Sequence, residues 1–318
     1  MVDIPEGRTE NELWEIFEKI IDVINPQDEI YFDITHSFRS LPFLILIILN
    51  YVRFLKGIEV NEIFYGALES LGTIKEILKN IPVNERIAPI FRLTPFINLF
   101  DWTVAIERFL QTGNANMIST LSNQELKPLL IETSGMIGGK LRKLIGVIKE
   151  FSENVSTCRF PKFKKNIESI IQIIPEAESE LEKLKPFKPL FNEIKTQFYN
   201  FQNIDDISIG INIAKWCLER DFIQQGYTIL RETIINYVII KILNKYDLKD
   251  RITRENSEKM LNTMDKEIPE EIINLWREII EYRNDINHAG LSEQNLHKYN
   301  DLKKKLKDFI LKFENYNR

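Results

Sequence analysis

Residues 283–288, with the sequence Arg-Asn-Asp-Ile-Asn-His, combine two side chains that can act on a phosphodiester. The guanidinium of Arg283 can neutralise charge that develops on phosphate oxygens. The imidazole of His288 can move a proton to or from a ribose hydroxyl near neutral pH. The pair can therefore cleave RNA without a metal, because the 2′-hydroxyl supplies the nucleophile. The spacing alone leaves a structural role open, since histidine is also favoured near a helix C-terminus.

Composition excludes several classes of site and protein. The chain has 318 residues and a net charge of −5, so no global basic field favours nucleic acid. It has two cysteines, Cys158 and Cys217, and three histidines. These numbers predict a reduced, cytoplasmic protein without a structural zinc site. Residues 1–9 are polar and the apolar run 41–49 is too short to span a bilayer, so neither a signal peptide nor a membrane anchor is expected.

The first third of the chain alternates between helical and extended patterns. Two extended runs with a helix between them predict parallel strands joined by a crossover helix. Three strands make a small sheet, which missing strands or a partner would complete. The predicted elements are a helix over 10–24, strands over 29–34, 60–65 and 87–93, and a helix over 41–55.

The polar residues after the first predicted strand form a candidate ligand site. In parallel sheets, ligands bind beyond the carboxyl ends of the strands, and free N–H groups at a helix start attract phosphates. The hydroxyls of Thr35 and Ser37, the guanidinium of Arg39 and the imidazole of His36 are placed there. Helix capping by the same hydroxyls is an equally good and compatible interpretation.

From residue 94 onward the apolar spacing is helical, and the last helices predict a bundle. Residues 119–130 are a loop or a short helix. The basic and aromatic residues 160–165 favour the solvent-exposed start of a helix, and a contact with RNA is the alternative interpretation. Helices are predicted over 135–151, 167–184 and 187–201. The predicted bundle follows, with helices over 207–219, 224–244, 257–264, 270–282 and 292–313.

Two separated motifs resemble one known family. Residues 33–42, followed by Tyr65-Gly66, resemble the ligand-sensing CARF domain of CRISPR-associated proteins. Residues 224–227 and the Arg283…His288 spacing resemble a HEPN ribonuclease domain. The chain is therefore similar to the CARF–HEPN ribonucleases of type III CRISPR systems, without the N-terminal part of the CARF domain. The implied fold is α/β plus all-α: a partial Rossmann-like parallel sheet over 1–95, a helical connector over 96–205 and a helical HEPN bundle over 206–318.

The resemblance implies an antiviral endoribonuclease that cuts single-stranded RNA without a metal or cofactor. It implies a homodimer in which a cyclic oligoadenylate bound to the CARF domains acts as an allosteric activator. By the same resemblance, the catalytic residues are Arg283, His288 and Asn284. The implied effector contacts are Thr35, His36, Ser37, Arg39, Tyr65 and Gly66.

Other functions remain open at this point. The chain could be a catalytically silent or ungated regulator that binds a cyclic nucleotide or RNA through a degenerate CARF domain. It could be a ring nuclease that cleaves the effector, although no clear general base accompanies Thr35. A HEPN toxin or antitoxin would leave the α/β third unexplained. The Arg283 and His288 pair favours the ribonuclease.

Overall fold

The computed structural model describes residues 2–35, 41–181, 185–199, 201, 205–291 and 296–317. The chain forms two compact units, Met1–Phe100 and Asp101–Arg318, and each unit has its own apolar core. Every helix in the described ranges is too short or too polar to cross a membrane.

The first unit contains a three-stranded sheet in the order β1 (Glu29–Asp33), β2 (Glu59–Gly66), β3 (Ile90–Arg92). β1 and β2 are parallel, as the strand–helix–strand pattern predicts. β3 pairs with β2 in the antiparallel direction, so the expectation of a wholly parallel sheet is wrong and the sheet is mixed.

The lengths of the connecting helices explain the two strand directions. α2 (Leu41–Lys56) has 16 residues and spans about 24 Å, which is enough to return the chain to the start of the next parallel strand. The connection from β2 to β3 contains α3 (Ile74–Asn80), whose 7 residues span only about 10 Å. The chain therefore re-enters the sheet from the end where β2 finished. The apolar spacing did not reveal this short helix.

The core of the first unit lies beneath α2, whose outer side is left uncovered. α1 (Glu10–Val23) packs against α2 and contributes the fully buried Ile16. Yet α2 also presents Phe43 and Phe54 to solvent, the latter 87% exposed. An apolar groove of about 550 Å³ opens between α2 and the segment near Phe96. The outer side of α2 in the first unit is therefore apolar and exposed.

The second unit is helical and has one continuous core. Residues 119–130, which the sequence left as a loop or helix, are helical and include a π-helical turn at Ser122–Leu126. The basic and aromatic residues 160–165 form the first turns of a helix in which Phe163 is fully buried. The helices are α4 Thr94–Thr112, α5 Asn116–Leu121, α6 Lys127–Glu132, α7 Gly139–Ser156, α8 Phe160–Leu181, α9 Lys188–Tyr199, α10 Asp206–Glu219, α11 Ile223–Tyr237, α12 Arg251–Asn262, α13 Glu270–Asn287 and α14 Tyr299–Asn317.

In the last part of the chain, four helices contact α11: α10, α12, α13 and α14. The contact between α10 and α11 is close because α10 carries Gly210 there. A Cβ at Gly210 would lie 2.2 Å from Oγ1 of the buried Thr233. This close packing holds α11 against its neighbours and, with them, supports the end of α13.

Candidate functional site

The Arg-Asn-Asp-Ile-Asn-His segment forms the last turn of α13. The predicted helix ends at residue 282, whereas the observed helix continues to Asn287, with His288 as its C-cap. The backbone N–H of Gly290 donates to the carbonyl of Asp285 at 2.9 Å, and Ala289 donates to Ile286 at 3.1 Å. These two bonds form a Schellman termination, with Ala289 in the left-handed region at φ 54°. Residues 283–287 are therefore held in helical geometry.

The guanidinium of Arg283 is half-buried and is held by amide groups only. Its Nη1 donates to Asn284 Oδ1 at 3.4 Å. With the Asn287 amide oxygen turned towards the guanidinium, that oxygen accepts from Nε at 2.7 Å and from Nη2 at 3.0 Å. No carboxylate of the described residues forms an ion pair with Arg283. Its positive charge is oriented but not neutralised, which is the state that a phosphate ligand requires.

His288 lies directly after the helix and is exposed to solvent. Its backbone N–H donates to the carbonyl of Asn284 at 2.9 Å, which fixes the position of the residue. Its ring makes no hydrogen bond within the described part of the chain, so either ring nitrogen can meet a substrate. The structure thus places the three predicted catalytic residues Arg283, Asn284 and His288 at one helix end.

A second histidine that the motif does not contain also contacts this turn. Asp285 is 6% exposed, and its Oδ2 accepts from the backbone N–H of His297 at 3.1 Å and lies 3.1 Å from Nδ1 of the same residue. The His297 ring packs on Tyr282, with ring centroids 4.2 Å apart. Sequence reasoning missed this pair because the spacing of Asp285 and His297 matches no motif. The only signal was a carboxylate on the apolar side of a helix.

We expect Asp285→Ala to lower the free energy of unfolding by about 1–2 kcal/mol, because it removes the acceptor that anchors His297. Asp285→Asn keeps an oxygen acceptor for the His297 backbone and serves as the matched control. Urea denaturation followed by circular dichroism measures both. An alanine variant as stable as the wild type would show that the pair does not hold this turn.

The stretch 224–227, which resembles part of a HEPN domain, lies in α11, and its side chains have different surroundings. One amide atom of Asn287 is 3.3 Å from the side-chain amide of Gln224, so α11 reaches the candidate site. The buried Tyr227, whose pKa is raised by desolvation, donates to the carbonyl of Leu302 at 2.9 Å and has a structural role. Arg231 pairs with Glu258 and belongs to an ion-pair cluster on another face of α11.

In the first unit, the structure brings Thr35 and Gly66 together at the carboxyl ends of β1 and β2. The Gly66 N–H donates to Thr35 Oγ1 at 2.7 Å, and a Cβ at Gly66 would lie 3.0 Å from the Thr35 methyl group. The Tyr65 hydroxyl donates to Glu69, and this bond raises the pKa of Tyr65. His36, Ser37 and Arg39 lie outside the described residues.

The described residues contain no group of three or more histidine, cysteine, aspartate or glutamate side chains arranged to hold a metal ion. The side chains presented at the turn by Arg283, Asn284 and His288 are a guanidinium, an amide and an imidazole. Such groups can bind an anion, stabilise added negative charge and transfer protons.

Comparison with known proteins adds a biological context. Residues 98–203 match the family model described as CRISPR-associated protein MJ1674, second domain. Over 241 residues the chain is 29% identical to CRISPR-associated protein MJ1674 of Methanocaldococcus jannaschii. Both comparisons indicate a CRISPR-associated protein. The alignment covers 73% of this chain and 32% of the archaeal protein, so the chain spans about a third of the length of that relative.

Proposed function

We propose that this CRISPR-associated chain is an endoribonuclease that cuts single-stranded RNA without a metal at Arg283 and His288. The observation that carries the proposal is the set of partners around the Arg283 guanidinium and the exposure of the His288 imidazole. The guanidinium is positioned by amides and lacks a carboxylate partner among the described residues. The imidazole of His288, five residues further along, is exposed and forms no hydrogen bond with the described residues.

The proposed reaction is transfer of the phosphodiester to the adjacent 2′-hydroxyl. The 2′-oxygen attacks phosphorus while the bond from phosphorus to the 5′-oxygen breaks, which leaves a 2′,3′-cyclic phosphate and a 5′-hydroxyl. His288 accepts the 2′-hydroxyl proton as a general base. Arg283 stabilises the extra negative charge on the phosphate oxygens, and its contact with Asn284 fixes the direction of the guanidinium.

The reaction also supports a homodimer. Cleavage needs a base at the 2′-oxygen and an acid at the 5′-oxygen, whereas each described turn offers a single free imidazole at His288. A second copy of the turn would provide the second histidine, in agreement with the composite site of the family that the sequence resembles. The exposed Phe43 and Phe54 of α2 supply apolar surface through which two copies can associate.

We further propose that a cyclic oligoadenylate binds the first unit and raises the activity. The support is local: Thr35 and Gly66 meet at the carboxyl ends of two parallel strands, where ligands bind in α/β sheets. A labelled single-stranded RNA incubated in EDTA, with and without cyclic tetra- or hexa-adenylate, tests both parts of the proposal. Cleavage that one effector increases supports the gated ribonuclease, and no cleavage under any condition contradicts it.

Thr35→Val is expected to raise the effector concentration for half-maximal activation by roughly tenfold, because it removes one hydrogen-bonding hydroxyl at the proposed binding edge. Basal cleavage without effector should remain unchanged. Thr35→Ser keeps the hydroxyl and is the matched control. Equal loss of basal and activated cleavage in Thr35→Val would indicate that Thr35 only stabilises the strand end.

A second candidate is a catalytically silent or ungated regulator that binds RNA or a cyclic nucleotide. The small three-stranded sheet and the uncovered apolar surface of α2 favour it, because a small sheet offers few contacts to an effector. The same assay separates the candidates. Cleavage that depends on His288 and ignores both cyclic nucleotides would support an ungated ribonuclease with a degenerate sensor.

A further inference from the structure

A polar cleft of about 360 Å³ lies in the second unit, between the π-helical turn Ser122–Leu126 and α7. Its polar lining includes Ser119, Ser122 and Asn123 from the turn region, and Arg142 and Lys143 from α7. π-helical turns cost regular hydrogen bonding and occur frequently at functional sites. The cleft is distinct from the turn at Arg283 and from the edge at Thr35.

The cleft presents two basic side chains, Arg142 and Lys143, that form no direct ion pair with a carboxylate of the described residues. On the same helix, Lys140 pairs with Glu176 and Lys149 pairs with Glu153, so α7 has carboxylate partners for its other lysines. No described carboxylate forms an ion pair with Arg142 or Lys143. The Arg142 guanidinium is instead positioned by donating from Nη2 to Asn123 Oδ1 at 3.1 Å.

The nearest buried carboxylate, that of Glu180, is already engaged by the start of α7. It accepts from the backbone N–H groups of Gly138, Lys140 and Leu141 at 3.1 Å or less. Glu180 therefore caps the start of α7 and forms no direct ion pair with Arg142. The cationic side of the cleft remains open to an anion from solution.

Two buried donors that line the cleft lack partners. Ser122 is 3% exposed, and its hydroxyl has no hydrogen-bond partner in the described part of the protein. The same is true of the buried Nε of Arg142. Buried polar groups in native proteins are nearly always hydrogen-bonded, so two orphaned donors beside one cleft point to a ligand that accepts hydrogen bonds.

We propose that this cleft binds the phosphate group of a small phosphorylated ligand. Arg142 and Lys143 would donate charge-assisted hydrogen bonds to the phosphate oxygens, and the Ser122 hydroxyl would donate another. The volume is at the lower end of the range for small-molecule sites and suits a phosphate with a sugar-sized group. No aromatic ring lines the cleft, so a nucleobase would find no stacking surface there.

The test measures the melting temperature of the full chain while inorganic phosphate replaces chloride at constant ionic strength. We expect phosphate to raise the melting temperature, and ribose 5-phosphate, which adds a sugar-sized group, to raise it at lower concentration. Arg142→Gln should weaken phosphate binding roughly tenfold or more, because it removes a charge-assisted hydrogen bond. Lys149→Gln makes the same kind of charge change on the same helix, away from the cleft, and should bind phosphate like the wild type.

Ser122→Ala keeps the test decisive if Arg142→Gln does not fold. Removing an unpaired hydroxyl should leave the free protein as stable as before and reduce the phosphate-induced rise. No rise with phosphate, or an equal rise in the Arg142, Ser122 and Lys149 variants, would overturn the proposal. A single-stranded oligoribonucleotide tests whether the phosphate groups of RNA bind in the cleft instead. If RNA raises the melting temperature and neither inorganic phosphate nor the small phosphorylated compound does, the small-ligand site is also overturned.

Discussion

Replacing His288 with alanine is expected to lower the rate of RNA cleavage in EDTA by roughly a hundredfold or more. The imidazole is the proton-transfer group of the proposed reaction, and its ring is exposed and forms no hydrogen bond in the described chain that the substitution would remove. Folding and association should therefore be unchanged in circular dichroism and in light scattering after size exclusion. The measurement is the initial rate of cleavage of a labelled single-stranded RNA, with the 2′,3′-cyclic phosphate end identified by mass spectrometry.

Arg283→Ala should reduce the same rate by roughly a hundred- to a thousandfold, since it removes the group that stabilises charge at the phosphate. Arg283→Lys keeps the charge but not the planar fork, so it should recover only part of the activity. Arg277 is an exposed arginine on the same helix, and Arg277→Ala is the matched control with near-normal cleavage. Undiminished cleavage in both the Arg283→Ala and His288→Ala variants would show that the nuclease site lies elsewhere or that the activity is a contaminant.

Gly210→Ala is expected to destabilise the protein by about 2 kcal/mol, despite the better helix propensity of alanine. The new methyl group would lie 2.2 Å from Thr233 Oγ1 and 2.7 Å from Cγ2, at a helix contact with no room to separate. Differential scanning calorimetry should show a melting temperature lower by about 4–8 °C.

A control substitution at another helical glycine should raise the stability of the protein instead of lowering it. Gly146 lies inside α7, and a Cβ there would have no atom within 4 Å. Gly146→Ala should therefore stabilise by about 1 kcal/mol through helix propensity alone. Adding Thr233→Ala to Gly210→Ala removes the two closest atoms and should recover part of the loss. If Gly210→Ala melts at or above the wild-type temperature, α10 and α11 are not packed as closely as described.

Helices and strands with strong local patterns could be predicted from the sequence. The apolar spacing of α1, α2 and α10 and the β-rich run of β1 place each element within a residue or two of its observed bounds. Periodicity succeeds in the three helices because their apolar residues line a core, and β1 is identified by its β-branched and aromatic residues. The CRISPR association inferred from the two motifs agrees with the comparisons.

Elements that depend on distant contacts could not be predicted. The end of α13 extends beyond its regular apolar stripe because Asp285 is buried against His297 and because the backbone terminates at Ala289 and Gly290. The direction of β3 depends on how far the short α3 carries the chain. Both features also need a pairing between segments that are apart in sequence, Asp285 with His297 and β2 with β3.

The sequence by itself determined the order of the elements, the change from an α/β third to a helical remainder, and the side chains at residues 283–288 that can act on a phosphodiester. These features are local, since they depend on side-chain type and short-range spacing. Only the tertiary structure decided that Arg283 lacks a carboxylate partner among the described residues and that Thr35 meets Gly66. It also decided that two unpaired donors, on Ser122 and Arg142, lie beside the polar cleft. The physical reason is that charge neutralisation and hydrogen bonding depend on which distant residues become neighbours when the chain folds.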